Sequence, residues 1–307
     1  MKKFVAATLW IATLAPFSAQ SQQNNGTLGG FLSGQGLAGT KLERRFGNHL
    51  FVPVSINNKR AALMIDTGAP VTLIDRSSAA TFGLQVESTS VNVGGAFGRR
   101  WEHYGASMVK SIAMGNCVLT NVPVALSDES DMNTEIRSTP IGSHIPTLNR
   151  LPQPSAVVSE KLAGFLSGRG FTRVPMRLNS SNHFDVAGAL DGHSTRFIID
   201  TGSSTTVVDK KTATQAGIGA SGTRLAADAG EGRVEHISRA DAKELTIGGF
   251  TIPNAEVAVA NMSSEILHLK AAAESNAGLL GAEHLAFNFA IIDVGGMALY
   301  LRHPDSR

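Results

Sequence analysis

Short apolar runs of strand length, separated by glycine-rich turns, are the dominant pattern along the chain. Residues 61–65 and 195–199 are apolar runs that end at Asp-Thr-Gly triplets, and β-branched runs at 71–74 and 205–208 follow those triplets. We therefore expect an all-β protein in which each triplet forms a turn between two strands.

Two further pairs of strands are predicted to form hairpins. Each pair flanks a two-residue turn, Gly115-Asn116 or Gly248-Gly249, of the kind that needs a positive φ. Short helical turns are predicted over residues 77–82 and 211–216, each ended by a glycine. The same elements are thus predicted twice, in the same order.

The elements are duplicated because the sequence itself is duplicated. Asn48-His49 recurs as Asn182-His183, an offset of 182 − 48 = 134, and Ile65-Asp66-Thr67-Gly68 recurs as residues 199–202 at the same offset. Gly-Phe-Leu-Ser-Gly at residues 30–34 also recurs, at 164–168. These last segments do not open a helix after a strand, and we expect turns or an edge segment there. The chain is a tandem repeat of one structural unit.

Composition and charge exclude several classes of protein. The 307 residues are 42% hydrophobic and 17% charged, which is too apolar for a disordered chain. The formal net charge is only +2 and no lysine and arginine run stands out, so we expect no nucleic-acid partner. Cys117 is the single cysteine, which rules out an intramolecular disulfide, and its apolar neighbours predict a buried thiol.

Residues 1–21 resemble an export signal. Lys2 and Lys3 precede an apolar stretch at 4–17, and small residues are spaced for cleavage after Ser21. The stretch is too short for a comfortable membrane span, so we expect a periplasmic or secreted protein without membrane attachment after signal removal. The mature chain is predicted to form two lobes, residues 22–150 and 151–307, joined by a polar, proline-containing segment at 127–160.

One aspartate in a turn of each unit suits the acid–base hydrolysis of a peptide bond. Two carboxyl groups within a few ångströms of each other cannot both ionise cheaply, so one keeps its proton and the pair titrates jointly. The ionised group can accept a proton from water while the protonated group donates to the scissile carbonyl. This chemistry requires no metal ion, cofactor or covalent intermediate.

These motifs resemble those of the aspartic proteases with Asp-Thr-Gly turns, in particular bacterial retropepsin-like proteins, here in tandem like the two lobes of pepsin. The matching segments are residues 64–69, residues 198–203, the glycine-rich residues 93–98 and Leu279-Leu280-Gly281, which is similar to an apolar element behind the catalytic turn. The resemblance covers roughly residues 45–126 and 175–302. It implies a bilobal acid-protease fold with two duplicated retropepsin-like β-barrel lobes, flaps and an interlobe cleft.

The resemblance also implies a role for each motif residue. Asp66 and Asp200 would be the catalytic dyad, and Thr67 and Thr201 would hydrogen-bond across the lobe junction. The residues supporting the dyad would be Thr67, Gly68, Ala69, Thr201, Gly202 and Ser203, and those of the substrate-binding flap Gly94, Gly95, Ala96, Phe97, Gly98, Gly230 and Gly232. The implied activity is that of an aspartic endopeptidase on polypeptide substrates, without a cofactor, and one chain suffices because it carries both aspartates.

The two units differ in ways that keep a second interpretation open. Pro140-Ile141-Gly142 is a poor counterpart of Leu279-Leu280-Gly281, and Ala69 stands where the second unit has Ser203. A serine hydroxyl there could favour the ionised dyad, so its absence from the first unit predicts an optimum less acid than that of pepsin. The alternative is a catalytically silent peptide-binding protein of the same fold, although all six residues of the two triplets are retained.

Overall fold

Strands form most of the architecture, as the sequence predicts. The computed structural model describes residues 26–45, 48–68, 72–88, 93–94, 100–101, 105–127, 141–143, 155–179, 183–219, 224–228, 234–262 and 276–305. In the first unit the elements are α1 (Leu28–Gly34), β1 (Glu43–Arg45), β2 (His49–Ile56), β3 (Lys59–Ile65), β4 (Leu73–Asp75), a 3₁₀ turn (Arg76–Ser78), β5 (Glu87–Ser88), β6 (Val93–Gly94), β7 (Arg100–Trp101), β8 (Gly105–Met114), β9 (Cys117–Ser127) and β10 (Ile141–Ser143).

The second unit repeats this order and adds strands at its end. Its elements are α2 (Ala156–Ser167), β11 (Thr172–Leu178), β12 (Phe184–Leu190), β13 (His193–Ile199), β14 (Val207–Asp209), α3 (Lys210–Gln215), β15 (Arg224–Asp228), β16 (Val234–Ile247), β17 (Phe250–Ala260), β18 (Asn276–Leu280), α4 (Ala282–Phe287), β19 (Ile291–Asp293) and β20 (Ala298–Leu301). None of the helices in the described part of the chain has the length and apolar composition of a membrane span.

Each unit closes its sheet into a ring of strands. In the first sheet β2-β3-β10-β4-β9-β8 are neighbours in that order, and β8 pairs back onto β2. In the second sheet β12-β13-β18-β14-β17-β16 follow the same order, and β16 pairs back onto β12. The two rings use equivalent strands, so both lobes are small barrels and the fold is the bilobal all-β fold expected from the sequence.

The barrels are filled by alternate residues of their strands. Leu50, Val52, Val54 and Ile56 of β2 are buried in the first core. Cys117 is buried in the same core as a free thiol, as predicted. This alternation fixes the register of β2, because a shift by one residue would turn its apolar side chains out of the core.

Tight turns connect the two strands that precede the aspartate in each barrel. The turn between β2 and β3 has positive φ at Asn57 (47°) and Asn58 (66°), and the turn between β12 and β13 has positive φ at Asp191 (46°) and Gly192 (81°). Two consecutive positive φ values suit the right-handed twist of a hairpin. Both hairpins therefore end with an aspartate placed at the end of the second strand.

The hairpins and helical turns expected from the glycine pattern are confirmed. Gly115 between β8 and β9 has a φ of 53°, and Gly248 between β16 and β17 has a φ of 56°. The 3₁₀ turn and α3 occupy the predicted helical positions. Gly83 and Gly217 follow them at φ values of 64° and 74°.

The prediction for the two Gly-Phe-Leu-Ser-Gly segments was wrong, because both lie in helices. They form the end of α1 and α2, which begin after the N-caps Thr27 and Ser155. The rings of Phe31 and Phe165 stack with centroids 4.3 Å apart, so the helices contact each other at equivalent positions of the repeat. Packing against Tyr300 of β20 stabilises the two helices, and Tyr300 is distant from both of them in the sequence.

Ile141–Ser143 takes the place of β18 in the first barrel. It runs parallel to β3 and antiparallel to β4, as β18 does between β13 and β14. Gly142 pairs with Leu63, and Gly278 pairs with Phe197, the repeat counterpart of Leu63. The first unit therefore has a strand equivalent to β18, although its sequence is a poor match. The register places Gly142 where the second unit has Gly278, not where it has Gly281. The remainder of the expected linker from 128 to 154, apart from this strand, lies outside the described residues, as does the expected signal at 1–21.

Candidate active site

The two Asp-Thr-Gly turns meet at the junction of the barrels. A Cβ atom added to Gly68 would lie 2.5 Å from Asp200 Oδ1, and one added to Gly202 would lie 2.5 Å from Asp66 Oδ1. Real Cβ atoms do not approach other atoms so closely, so a side chain at either glycine would displace the opposing carboxyl group. The structure therefore brings together the pair of aspartates that the repeat singled out.

Backbone N–H groups hold both carboxyl groups. Gly68 N–H donates to Asp66 Oδ1 at 2.8 Å, and Gly202 N–H donates to Asp200 Oδ1 at 2.9 Å. Ser203 N–H also donates to Asp200 Oδ1, at 3.1 Å. These bonds fix the plane of each carboxyl group within its own turn.

Burial and the neighbouring Asp66 raise the pKa of Asp200 well above its ordinary value of 3.8. Burial is the largest cause, followed by repulsion from Asp66 and a hydrogen bond with the Asp66 side chain, while the N–H groups of Gly202 and Ser203 lower the pKa. The pair consequently retains a proton at a pH where an isolated carboxyl group has lost it. Such a pair contains both an acid and a base.

The threonines of the two triplets tie the barrels together. Thr67 Oγ1 donates to the carbonyl of Ile199 at 2.6 Å, and Thr201 Oγ1 donates to the carbonyl of Ile65 at 2.7 Å. Each hydroxyl also accepts the backbone N–H of the other threonine, at 3.1 Å in both cases. Both threonines are buried, so this symmetric network fixes one aspartate relative to the other.

Behind Asp200 lies a further set of bonds that the sequence analysis did not identify. Asp200 N–H donates to the carbonyl of Leu280 at 3.0 Å, and Gly281 N–H donates to Thr206 Oγ1 at 2.9 Å. A Glu283 carboxylate oxygen accepts the backbone N–H of Thr206. The signal for Thr206 was its repeat counterpart, Thr72, which has the same residue type at an offset of 206 − 72 = 134.

The first lobe has no equivalent of this support in the described part of the chain. Thr72 is 2% exposed, and its hydroxyl has no hydrogen-bond partner among the described residues. Thr206, its counterpart, is completely buried and accepts the N–H of Gly281. The place that corresponds to Gly281 in the first lobe follows β10 and lies outside the described residues, so this support is described behind Asp200 alone.

The Ser203 hydroxyl does not act as the sequence analysis expected. It donates to the carbonyl of Thr205 at 2.7 Å, and only the backbone N–H of Ser203 reaches Asp200. Alanine can supply the same N–H. Ala69 therefore gives no reason to expect a less acid optimum, and Ala69 itself lies outside the described residues.

The expected flap is described only in part. Gly94 lies in β6, which pairs antiparallel with β7, and β15 forms a hairpin with β16 at the equivalent place in the second lobe. The other expected flap residues, which are Gly95, Ala96, Phe97, Gly98, Gly230 and Gly232, lie outside the described part of the chain. Their contact with a substrate stays a prediction.

No cluster of three or more His, Cys, Asp or Glu side chains able to hold a metal ion occurs among the described residues.

Two barrels that each place one Asp-Thr-Gly aspartate at a shared junction define the class of two-lobed aspartic proteases. The sequence model of the aspartyl protease family matches residues 52–141 and 186–284, which is one segment in each lobe and more than half of the chain. The chain belongs to the aspartyl protease family.

Two solved structures share features with the chain. It is similar to a retropepsin-like aspartic protease from Rickettsia conorii, at 20% identity over 44% of this chain and 90% of that one, with a TM-score of 0.30. It is also similar to an aspartic proteinase from Irpex lacteus, at 13% identity over 84% of this chain and 95% of that one, with a TM-score of 0.46. No curated protein matches the chain.

Proposed function

We propose that this protein is an aspartic endopeptidase in which Asp66 and Asp200 activate one water molecule between them. The observation that carries the proposal is the placement of each carboxyl group over the glycine of the opposite triplet, with a raised pKa at Asp200. A carboxyl pair that shares a proton supplies the general base and the general acid at once.

The reaction follows from that shared proton. The water oxygen attacks the scissile carbonyl carbon while the ionised carboxylate accepts a proton from the water. The protonated carboxyl donates its proton to the carbonyl oxygen. The resulting diol collapses when the carboxyl that took the water proton donates it to the amide nitrogen, the carbon–nitrogen bond breaks, and the other carboxylate takes a proton from one diol hydroxyl as the carbonyl re-forms. Both carboxyl groups then hold one proton between them again, so the cycle needs no other reactant.

The substrate we propose is an extended polypeptide bound across the junction of the lobes. Gly94 lies in the β6–β7 hairpin, and such a hairpin beside a cleft offers backbone groups to an extended chain. A monomer is sufficient because the threonine network lies within one chain. We also propose export from the cytoplasm, on the strength of residues 1–21 alone.

A second candidate is a peptide-binding protein without catalytic activity. The difference between the two barrels favours it, because Ile141–Ser143 lies beside β3 where the second barrel has Asn276–Leu280 beside β13. In this case the cleft would bind extended peptides and leave them intact.

The deciding experiment is cleavage of a diverse peptide mixture by the mature chain between pH 3 and pH 8. Asp66→Asn and Asp200→Asn keep the shape of the side chains and should each reduce cleavage about 10²–10⁴-fold. Asp241→Asn, at an exposed position of β16, is the matched control and should cleave as the unaltered protein does. Cleavage that survives in either dyad variant contradicts the mechanism, while peptide binding without cleavage by all four proteins favours the second candidate.

A further inference from the structure

A histidine lies opposite the aspartate in the first lobe. In the β2–β3 hairpin Leu50 pairs with Ile65, so the next pair in the same register is His49 with Asp66. Its repeat counterpart, His183, precedes β12, and the β12–β13 pairing begins only at Asp185 and Ile198. Directly opposed residues of antiparallel strands have neighbouring side chains.

The ring of His49 is close to both Asp66 and the backbone of Gly202 in the other lobe. The pKa of His49 is lowered by burial, and it is raised by Asp66 and by the backbone of Gly202. Both ring nitrogens are buried and make no hydrogen bond of normal geometry with any described residue, so Gly202 faces the ring without a well-formed bond. The imidazole is thus in electrostatic contact with the dyad and not held by a bond of its own.

The other charged groups near His49 belong to the neighbouring strand and the other lobe. Arg45 of β1 pairs with His49 in the sheet, but its guanidinium is bound to Glu43 and lies 5.3 Å from the centre of the Phe51 ring. Arg44 donates to the backbone carbonyl and to the side-chain oxygen of Asn48, the residue before His49.

In the other lobe, Asp200 lies at the start of the turn that contains Gly202. Among the described residues Asp66 is the charged group that raises the pKa of His49, so the histidine acts on the dyad through Asp66.

We propose that His49 is a positioning residue for the dyad, whose imidazolium form favours the ionised state of Asp66 from the opposite strand. The proposal rests on the proposed function, since its effect on catalysis is exerted through the carboxyl pair. At acid pH the imidazolium is positive and makes ionisation of the pair easier. At higher pH the neutral ring no longer does so, and the influence of His49 disappears.

The first test is the pH profile of kcat/KM for His49→Gln. Loss of the positive charge should move the acid limb upward by about one pH unit, the lower end of the effect of an opposite charge beside a carboxyl group. Activity at low pH then falls about tenfold and approaches that of the unaltered protein toward neutral pH. His303→Gln, at an exposed ring stacked on Phe250, is the matched control and should leave the limb in place. An equal loss at every pH would mean a purely structural role and would overturn the proposal.

The second test does not depend on catalysis or on the His49 variant. Because Asp66 raises the pKa of His49, coupling is reciprocal, and Asp66→Asn should lower the pKa of His49. The titration is followed by NMR of the imidazole carbons in the full mature chain, with His303 as the internal reference. An unchanged His49 titration in Asp66→Asn would refute the inference. If no peptide is cleaved under any condition, the proposed function fails, yet this titration still decides the role of His49.

Discussion

Replacement of Thr67 by valine is the sharpest test of how the lobes are joined. Valine has nearly the same shape but loses the bond from Thr67 Oγ1 to the carbonyl of Ile199 and the bond from Thr201 N–H to Thr67 Oγ1. The carbonyl of Ile199 and the N–H of Thr201 then lie in a buried junction without these hydrogen bonds. Each unsatisfied buried group costs about 1–3 kcal/mol. We therefore expect the free energy of unfolding to fall by about 2–6 kcal/mol.

The assay is urea unfolding followed by far-ultraviolet circular dichroism. Thr67→Ser keeps the hydroxyl and loses one methyl group, so it should lose only about 0.8 kcal/mol. Thr214→Val removes an exposed hydroxyl that donates to Lys210 in α3, and should change stability by no more than about 0.5 kcal/mol. A loss below about 1 kcal/mol in Thr67→Val, or equal losses in Thr67→Val and Thr67→Ser, would refute the argument that these bonds hold the junction.

Three further predictions concern individual positions. Gly68→Ala places a methyl group against the Asp200 carboxyl, and the displaced carboxyl should cost about 100-fold in kcat/KM while circular dichroism stays unchanged. Asp200→Asn should be more stable than the unaltered protein at pH 7. The pKa of Asp200 is raised in the folded state, so the stability of the unaltered protein falls as the pH rises above about 3.8. The free energies of unfolding of the two proteins should therefore converge below that pH. Cys117 is 5% exposed, and burial raises the pKa of its thiol. A thiol-specific reagent should therefore modify it only when urea unfolds the protein. Rapid labelling of the folded chain would contradict the place of Cys117 in the core.

The features that could be predicted from the sequence are those encoded in neighbouring residues. Asp66 and Asp200 were found because each lies in a contiguous triplet after an apolar strand and because the triplets recur at one spacing. Gly115 and Gly248 predicted the hairpins because the turn itself demands a positive φ. Local chemistry was sufficient in both cases.

The features that could not be predicted depend on contacts between distant segments. Phe31 and Phe165 lie in glycine-containing helices whose stability comes from stacking on each other and packing on Tyr300. Ile141–Ser143 forms a strand because β3 and β4 leave a gap that it fills, although its own sequence is a poor match to β18. The direction of the Ser203 hydroxyl follows from the nearby carbonyl of Thr205 and has no signature in the sequence.

The unlike strands β10 and β18 make the two halves of the molecule different toward any chain laid across it. A polypeptide runs from its amino to its carboxyl end, whereas a cleft between two identical halves would accept it equally well in either direction. Joining the halves in one chain allows a substitution to change one side alone. Here Ile141–Ser143 lies beside β3, whereas Asn276–Leu280 lies beside β13, so the two ends of a bound chain would meet sides of different sequence.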